Sequence, residues 1–288
     1  MEVLCDVKQS LHRMKNIVET INGCLVWGGA LNLAPADDKI IRVERPLVID
    51  AESQLIASIL SKKLSVSSTH ILIDIPVGKG AKIGSVKAAK KMKKDFESFS
   101  RKIGVKIKAI ITDGSAPVGN GIGPALEARD VLYVLKNDHR QPLDLREKAV
   151  MMAGKMLEMA KKCRRYKGRS MAERILKSGD AYKKMCEIID QQGAIANRPE
   201  QIRLSKHTHT IRASTKGVVK RIDNKMICKV ARIAGAPENP SCGLLLRAKV
   251  GSHVTKGKPL FTIHAGSEGK LKNALDVLEK DHPYHIHY

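Results

Sequence analysis

Aromatic side chains are scarce in this 288-residue chain, where three Phe, five Tyr and one Trp amount to 3%. That scarcity argues against a single-stranded nucleic-acid platform, which stacks successive bases on aromatic faces. Acidic residues are also short, with 29 Asp and Glu against 52 Lys and Arg and a formal net charge of +23. So positive a field attracts anions of any kind, and phosphorylated ligands, nucleic acid and anionic membrane all stay open on charge alone. The cysteines (Cys5, Cys24, Cys163, Cys186, Cys228 and Cys242) include no C-x-x-C pair. This spacing suggests neither a zinc site nor a disulfide framework, and it fits a reducing compartment. No apolar run approaches the roughly 20 residues of a membrane span, and residues 1–16 lack the apolar stretch of a signal peptide. The expectation is a cytoplasmic protein with no membrane partner and no bound metal.

The chain does have ordinary globular proportions, 43% hydrophobic and 28% charged, and enough length for one large domain or two ordinary ones. The segment from Gly23, GCLVWGGALNLAPADDK, reads as a strand followed by a loop. In DAESQLIASILSKKL, Leu55, Ile56, Ile59 and Leu60 recur at helical spacing after Asp50, which predicts a helix near 51–64. Next comes THILIDIPVGKGAKIGS, a short apolar run of the kind buried in a parallel sheet, with Gly78, Gly80 and Gly84 in its loop. After a helix near 86–103, KIKAIITD repeats the device, and GSAPVGNGIGPALEARDVLYVL leads into another helix. Strand, glycine loop and helix occurring twice predict an α/β layer with ligands at the carboxyl ends of the strands.

LREKAVMMAGKMLEMA and MAERILKSGDAYKKMCEIIDQQG then read as helices around a basic linker, KKCRRYKGRS, taken as solvated surface. After Pro199 the pattern turns β-rich, closing on a helix near 267–280. The predicted division is therefore 1–202, an α/β domain with helical elements, and 203–288, a smaller β-rich α+β domain.

Two glycine loops could meet phosphate. GNGIG at 119–123 is compatible with a dinucleotide-binding turn or with a plain structural turn, since it lacks the full G-x-G-x-x-G spacing. In GKGAK, Lys79 and Lys82 flank Gly80 just past a strand, where a lysine meets phosphate as a point charge or stays solvated. Asp50 is suited to an N-cap.

VWGGALNLAPADDK, ASILSKK, ILIDIPVGKGAK, GPALEARDVL and SGDAYKKMCEIIDQQGA occur in this order, followed by VGSHVTKGKPLFTIHA. The set resembles the thymidine and pyrimidine-nucleoside phosphorylase family, especially the branch with AMP phosphorylases and their bacterial thymidine phosphorylase relatives. The resemblance implies a pentosyltransferase that uses inorganic phosphate as co-substrate and no cofactor. Phosphate attacks C1′ of thymidine or of a nucleoside 5′-monophosphate such as AMP, releasing the base. By the same resemblance Ser58 and Lys62 hold the base, Asp50 donates a proton and Lys82 lies near a 5′-phosphate. Arg42 is the candidate for the family's base-binding arginine, one residue out of register, with Arg45 as the fallback and Val43 in strict register.

Met1 aligns with the middle of the family, whose N-terminal helices and phosphate-binding glycine loop have no counterpart here. The sequence is thus expected to be a fragment, a truncated gene or one of two chains. The complete assembly is expected to be a homodimer. Alone, the chain is expected to be inactive and to expose apolar surface around Leu55 and Ile59. A competing reading is a basic nucleic-acid-binding module using Lys87, Lys90, Lys91, Lys93 and Lys94. It is disfavoured because those lysines surround the helix instead of forming one stripe. A biotin- or lipoyl-type carrier reading of 250–265 fails for want of the modified lysine at a hairpin tip.

Overall fold

The protein is described from a computed structural model covering residues 1–29, 31, 34, 35, 37, 39, 40 and 52–287. Asp50, Arg42, Val43 and Arg45 lie outside the described residues. Helix α1 (Leu11–Ile21) begins at Ser10, whose side chain accepts from Arg13 N–H, and ends at Asn22 in the left-handed region. Helix α2 (Glu52–Leu64) precedes β1 (His70–Val77), α3 (Val86–Ile103) and β2 (Lys106–Asp113). The parallel pairing of β1 and β2 runs from His70↔Lys106 to Val77↔Asp113. Ile71, Ile73, Ile75, Ile107 and Ala109 meet Ala89, Met92 and Phe96 of α3 and Ile56 and Leu60 of α2 in one core. Leu55 and Ile59 are only half-buried against that core, which leaves part of each side chain uncovered.

Gly121–Ile122 forms β3 and Pro124–Leu135 forms α4, followed by α5 (Leu143–Met159), α6 (Gly168–Lys177) and α7 (Asp180–Gln191). The segment from Met171 to Gln192, expected as one helix, is two. Gly179 adopts φ 84°, which ends the first helix, and Ser178 Oγ donates to Asp180 Oδ2 at 2.7 Å across the break.

The expected strand at Gly23 is also corrected. Residues 23–27 run as irregular chain whose polar groups find partners without a ladder. The Gln192 side chain accepts from Leu25 N–H at 2.7 Å and donates to Leu25 C=O at 2.6 Å, and Trp27 N–H donates to Val7 C=O at 2.8 Å. A buried amide thus does for this segment what a neighbouring strand would.

The last third holds β4 (His207–Arg212), β5 (Gly217–Ile222), α8 (Asn224–Ala234), β6 (Gly243–Leu246), β7 (His253–Val254), β8 (Pro259–Ala265), α9 (Glu268–Lys280) and β9 (Tyr284–His287). Two sheets form, ordered β3-β6-β8-β4 and β7-β5-β9, around Phe261, Leu244, Ile263, Val219 and Val230. In the first sheet β3 pairs antiparallel with β6 through Gly121↔Leu245 and Ile122↔Leu244. The fold is α/β in its first part with a β-rich α+β end, as the sequence predicts.

Burial lowers the pKa of His264 and of His282 in this end region, because the charged imidazolium loses solvent there. Their contribution to stability is therefore fully present above the ordinary histidine value of about 6.5 and is lost as pH falls through the lower folded values. Urea midpoints should be flat above about pH 7 and drop below about 6.5. The double variant His264→Gln and His282→Gln should flatten that slope. Parallel pH profiles for wild type and variant would contradict this assignment.

Candidate functional site

Ser58 and Lys62, four residues apart on α2, share one face of the helix. They converge on Asp37. Ser58 Oγ donates to Asp37 Oδ2 at 2.9 Å, and Lys62 Nζ pairs with the same oxygen at 2.9 Å. Asp37 is 8% exposed, and its Oδ1 is buried with no partner among the described residues. A buried carboxylate oxygen without a donor is costly, so this face is arranged for one more N–H or O–H. With its O–H directed at Asp37, the Ser58 oxygen presents lone pairs as an acceptor. Lys62 brings an ammonium, which carries three N–H groups, to the same carboxylate oxygen.

Asp37 was not singled out in the sequence. It stands 21 residues from Ser58 with no spacing rule to connect them, and it is helical together with Pro35, Lys39 and Ile40, where the sequence pattern predicts a loop. A cavity of about 540 Å³ also borders α2, but Ser53, Ile56, Ala57, Leu60, Ser61 and Leu64 line it. It therefore belongs to other stripes of the helix than Ser58 and Lys62.

The loops after β1 and β2 pack on each other. Gly114 N–H donates to Val77 C=O at 2.8 Å, and a Cβ at Gly78 would fall 2.6 Å from Ser115 N. Asp113 accepts from Ser115 N–H at 2.8 Å, and hydrogen bonds from Ser115 hold the Asp113 carboxyl below its ordinary pKa. Lys79 and Lys82 sit exposed on the first loop. Further down the strands, Lys148 of α5 reaches Asp74 Oδ2 at 2.5 Å and Thr112 Oγ1 at 3.3 Å, while Thr112 Oγ1 donates to Asp74 Oδ1 at 2.7 Å. This half-buried trio ties the helical region to both strands; it too went unnoticed in the sequence.

The GNGIG turn is structural. Asp130 Oδ2 accepts from Asn120 N–H at 2.6 Å and Gly121 N–H at 2.7 Å, Asp144 Oδ2 from Gly119 N–H at 3.2 Å, and Glu127 Oε1 from Gly123 N–H at 2.9 Å. The backbone donors a pyrophosphate would need are thus already held by carboxylates of the chain itself. Lys249 seals the arrangement, donating to Asp144 Oδ2 at 2.9 Å, to Pro117 C=O at 3.2 Å and to Gly119 C=O. Burial is the leading cause of a raised Asp130 pKa, opposed by the two N–H bonds.

On α3, Lys91 pairs with Asp95 at 3.6 Å and Lys93 with Glu97 at 3.8 Å, both one turn apart. Part of the lysine charge on that helix is therefore compensated within the helix, as on a solvated face. Among the described residues no group of three or more His, Cys, Asp or Glu could hold a metal ion, and no helix is long and apolar enough to cross a membrane.

A parallel strand pair flanked by helices, with loops gathered at its carboxyl end and a β-rich region after it, defines an α/β protein. Comparison with known proteins makes the class specific. Residues 218–285 match the family model for the pyrimidine nucleoside phosphorylase C-terminal domain. The chain is 48% identical over 287 residues, 99% of its length and 57% of the relative's, to the AMP phosphorylase of Pyrococcus horikoshii. It is 46% identical over 278 residues, 96% of its length and 53% of the relative's, to a Legionella pneumophila (strain Corby) protein carrying a thymidine phosphorylase name. The chain belongs to the thymidine and pyrimidine-nucleoside phosphorylase family, and it spans about half the length of the curated relatives it matches.

Proposed function

We propose that this chain takes part in phosphorolysis of a nucleoside or nucleoside 5′-monophosphate, and that the Asp37–Ser58–Lys62 cluster holds the base. The observation that carries this reading is the convergence of the Ser58 hydroxyl and the Lys62 ammonium on the Asp37 carboxylate, whose other oxygen is buried and has no partner among the described residues. A pyrimidine offers N3–H to an acceptor and O4 to a donor. Adenine offers its 6-amino group and N1 in the same sense. The cluster therefore suits either base and does not choose between thymidine and AMP.

In the reaction, inorganic phosphate attacks C1′, the glycosidic bond breaks, and the base leaves with a proton. The products are free base and a pentose 1-phosphate. Holding the flat base fixes the glycosidic bond against the incoming phosphate, which is worth several kcal/mol when the geometry is right. On family resemblance Asp50 gives the proton, Arg42 assists at the base and Lys82 meets a 5′-phosphate. The division at 202/203 is part of the same proposal: the first segment binds substrate and the second supports it.

The test is release of base from thymidine, AMP and CMP with and without phosphate. It is run on the 288-residue chain alone and with the other half of the Pyrococcus relative added as a second polypeptide. Phosphate-dependent release in either setting, lost in Lys62→Met, is the expected result. No release in either setting, together with no binding of thymine or adenine to the chain, would overturn the proposal.

A further inference from the structure

Asn224, the first residue of α8, lies where the β-rich end of the chain meets both glycine loops. Its Nδ2 donates to Gly114 C=O, in the loop after β2, at 3.1 Å. A Cβ built on Gly80, in the loop after β1, would lie 3.4 Å from Asn224 Cβ. Its Oδ1 is buried and has no partner among the described residues. The amide orientation follows from chemistry, because an Oδ1 turned toward Gly114 would set two acceptors against each other. The residue is anchored from its own side as well: Asp223, the cap of α8, accepts from Met226 N–H at 3.0 Å. Lys249 makes a second link of the same kind, to Pro117 and Gly119 farther along the second loop.

We propose that Asn224 is a positioning residue through which the C-terminal domain sets the β1 and β2 loops, and with them the placement of Lys82. Its Nδ2 holds the second loop by the Gly114 carbonyl. Its Oδ1 is the acceptor available to a donor of the first loop when a phosphate-bearing ligand draws that loop in. The ligand part rests on the proposed function, since Lys82 matters for a 5′-phosphate only there. Discrimination between a nucleotide and the corresponding nucleoside would then depend on a residue that touches neither.

The experiment compares the wild-type chain with Asn224→Asp, which keeps the shape but sets a carboxylate against the Gly114 carbonyl, and with Asn224→Ala. Amide hydrogen exchange is followed over residues 78–84 and 114–119, and AMP and adenosine binding are titrated on the same samples. Exchange in both segments should quicken about tenfold, as expected for loss of one buried hydrogen bond, while the thermal midpoint stays within a few degrees. AMP affinity should fall about tenfold and adenosine affinity should not change. Should Asn224→Asp fail to fold, Asn224→Ala carries the same two readouts. Unchanged exchange in both loops would overturn the proposal. So would an equal loss for AMP and adenosine, which is what a merely structural residue gives. If the wild-type chain binds neither ligand, the proposed function falls, and the exchange measurement still decides whether Asn224 holds the loops.

Discussion

Replacing Gly243 with alanine should cost about 3 to 4 kcal/mol of folding stability, a large share of the roughly 5 to 15 kcal/mol that holds a domain together. Gly243 opens β6 with φ 148°, a conformation that L residues adopt only under strain. A Cβ there would meet Ile122 O well inside the 3.0 Å that real Cβ contacts essentially never breach. That obstacle is backbone of β3 and cannot swing aside, so the substitution strains its own residue and pushes apart the only described rung-work between β3 and β6. Gly251→Ala is the control. It has φ 87° but nothing within 4 Å of the added Cβ, so only the backbone strain of about 1 to 2 kcal/mol applies. Urea unfolding followed by circular dichroism separates the two, and equal losses would show that the β3–β6 contact does not govern stability.

If Lys82 meets a 5′-phosphate in an assembled enzyme, as proposed, Lys82→Ala should raise KM for AMP or CMP by roughly one to two orders of magnitude and leave thymidine nearly untouched. The reasoning is electrostatic. A charge-assisted hydrogen bond to a 5′-phosphate contributes about 1.5 to 3 kcal/mol, and about 1.4 kcal/mol is tenfold in affinity. Thymidine carries no such group. An equal loss with both substrates would make Lys82 a general structural or phosphate-site residue and would favour the thymidine reading.

The sequence showed those parts of the fold in which local pattern and tertiary role agree. In α2, β1, α3 and β2 the residues that set the period are also the ones that are buried, Ile71, Ile73 and Ile75 among them. Where a distant side chain decides, the pattern misleads. Gly23 to Trp27 looks like a strand, yet the Gln192 amide, 167 residues away at Leu25, takes its backbone groups. The break at Gly179 falls within a Ser-Gly-Asp triplet, where the helical periodicity on either side hides it. Ser58 and Lys62 stand out in the sequence because family resemblance and helical spacing coincide, and the structure brings both to Asp37. Asp37 and Asn224 meet their partners across sequence separations for which no motif exists. The GNGIG ambiguity was settled by Asp130, Asp144 and Glu127, none of which announces itself as a partner of a glycine turn.

The β3–β6 pairing also bears on whether the molecule is modular. A strand contributed by Gly121 and Ile122 closes one border of a sheet otherwise built after residue 206. Cutting the chain near residue 202 would therefore not release a self-contained unit. The excised piece would carry β6 with a raw border, Leu244 and Leu245 stripped of their backbone partners, and such borders template pairing with other copies. Evolutionary shuffling of the β-rich end onto another protein would face the same problem. The host would have to supply a two-residue strand as well as a point of attachment.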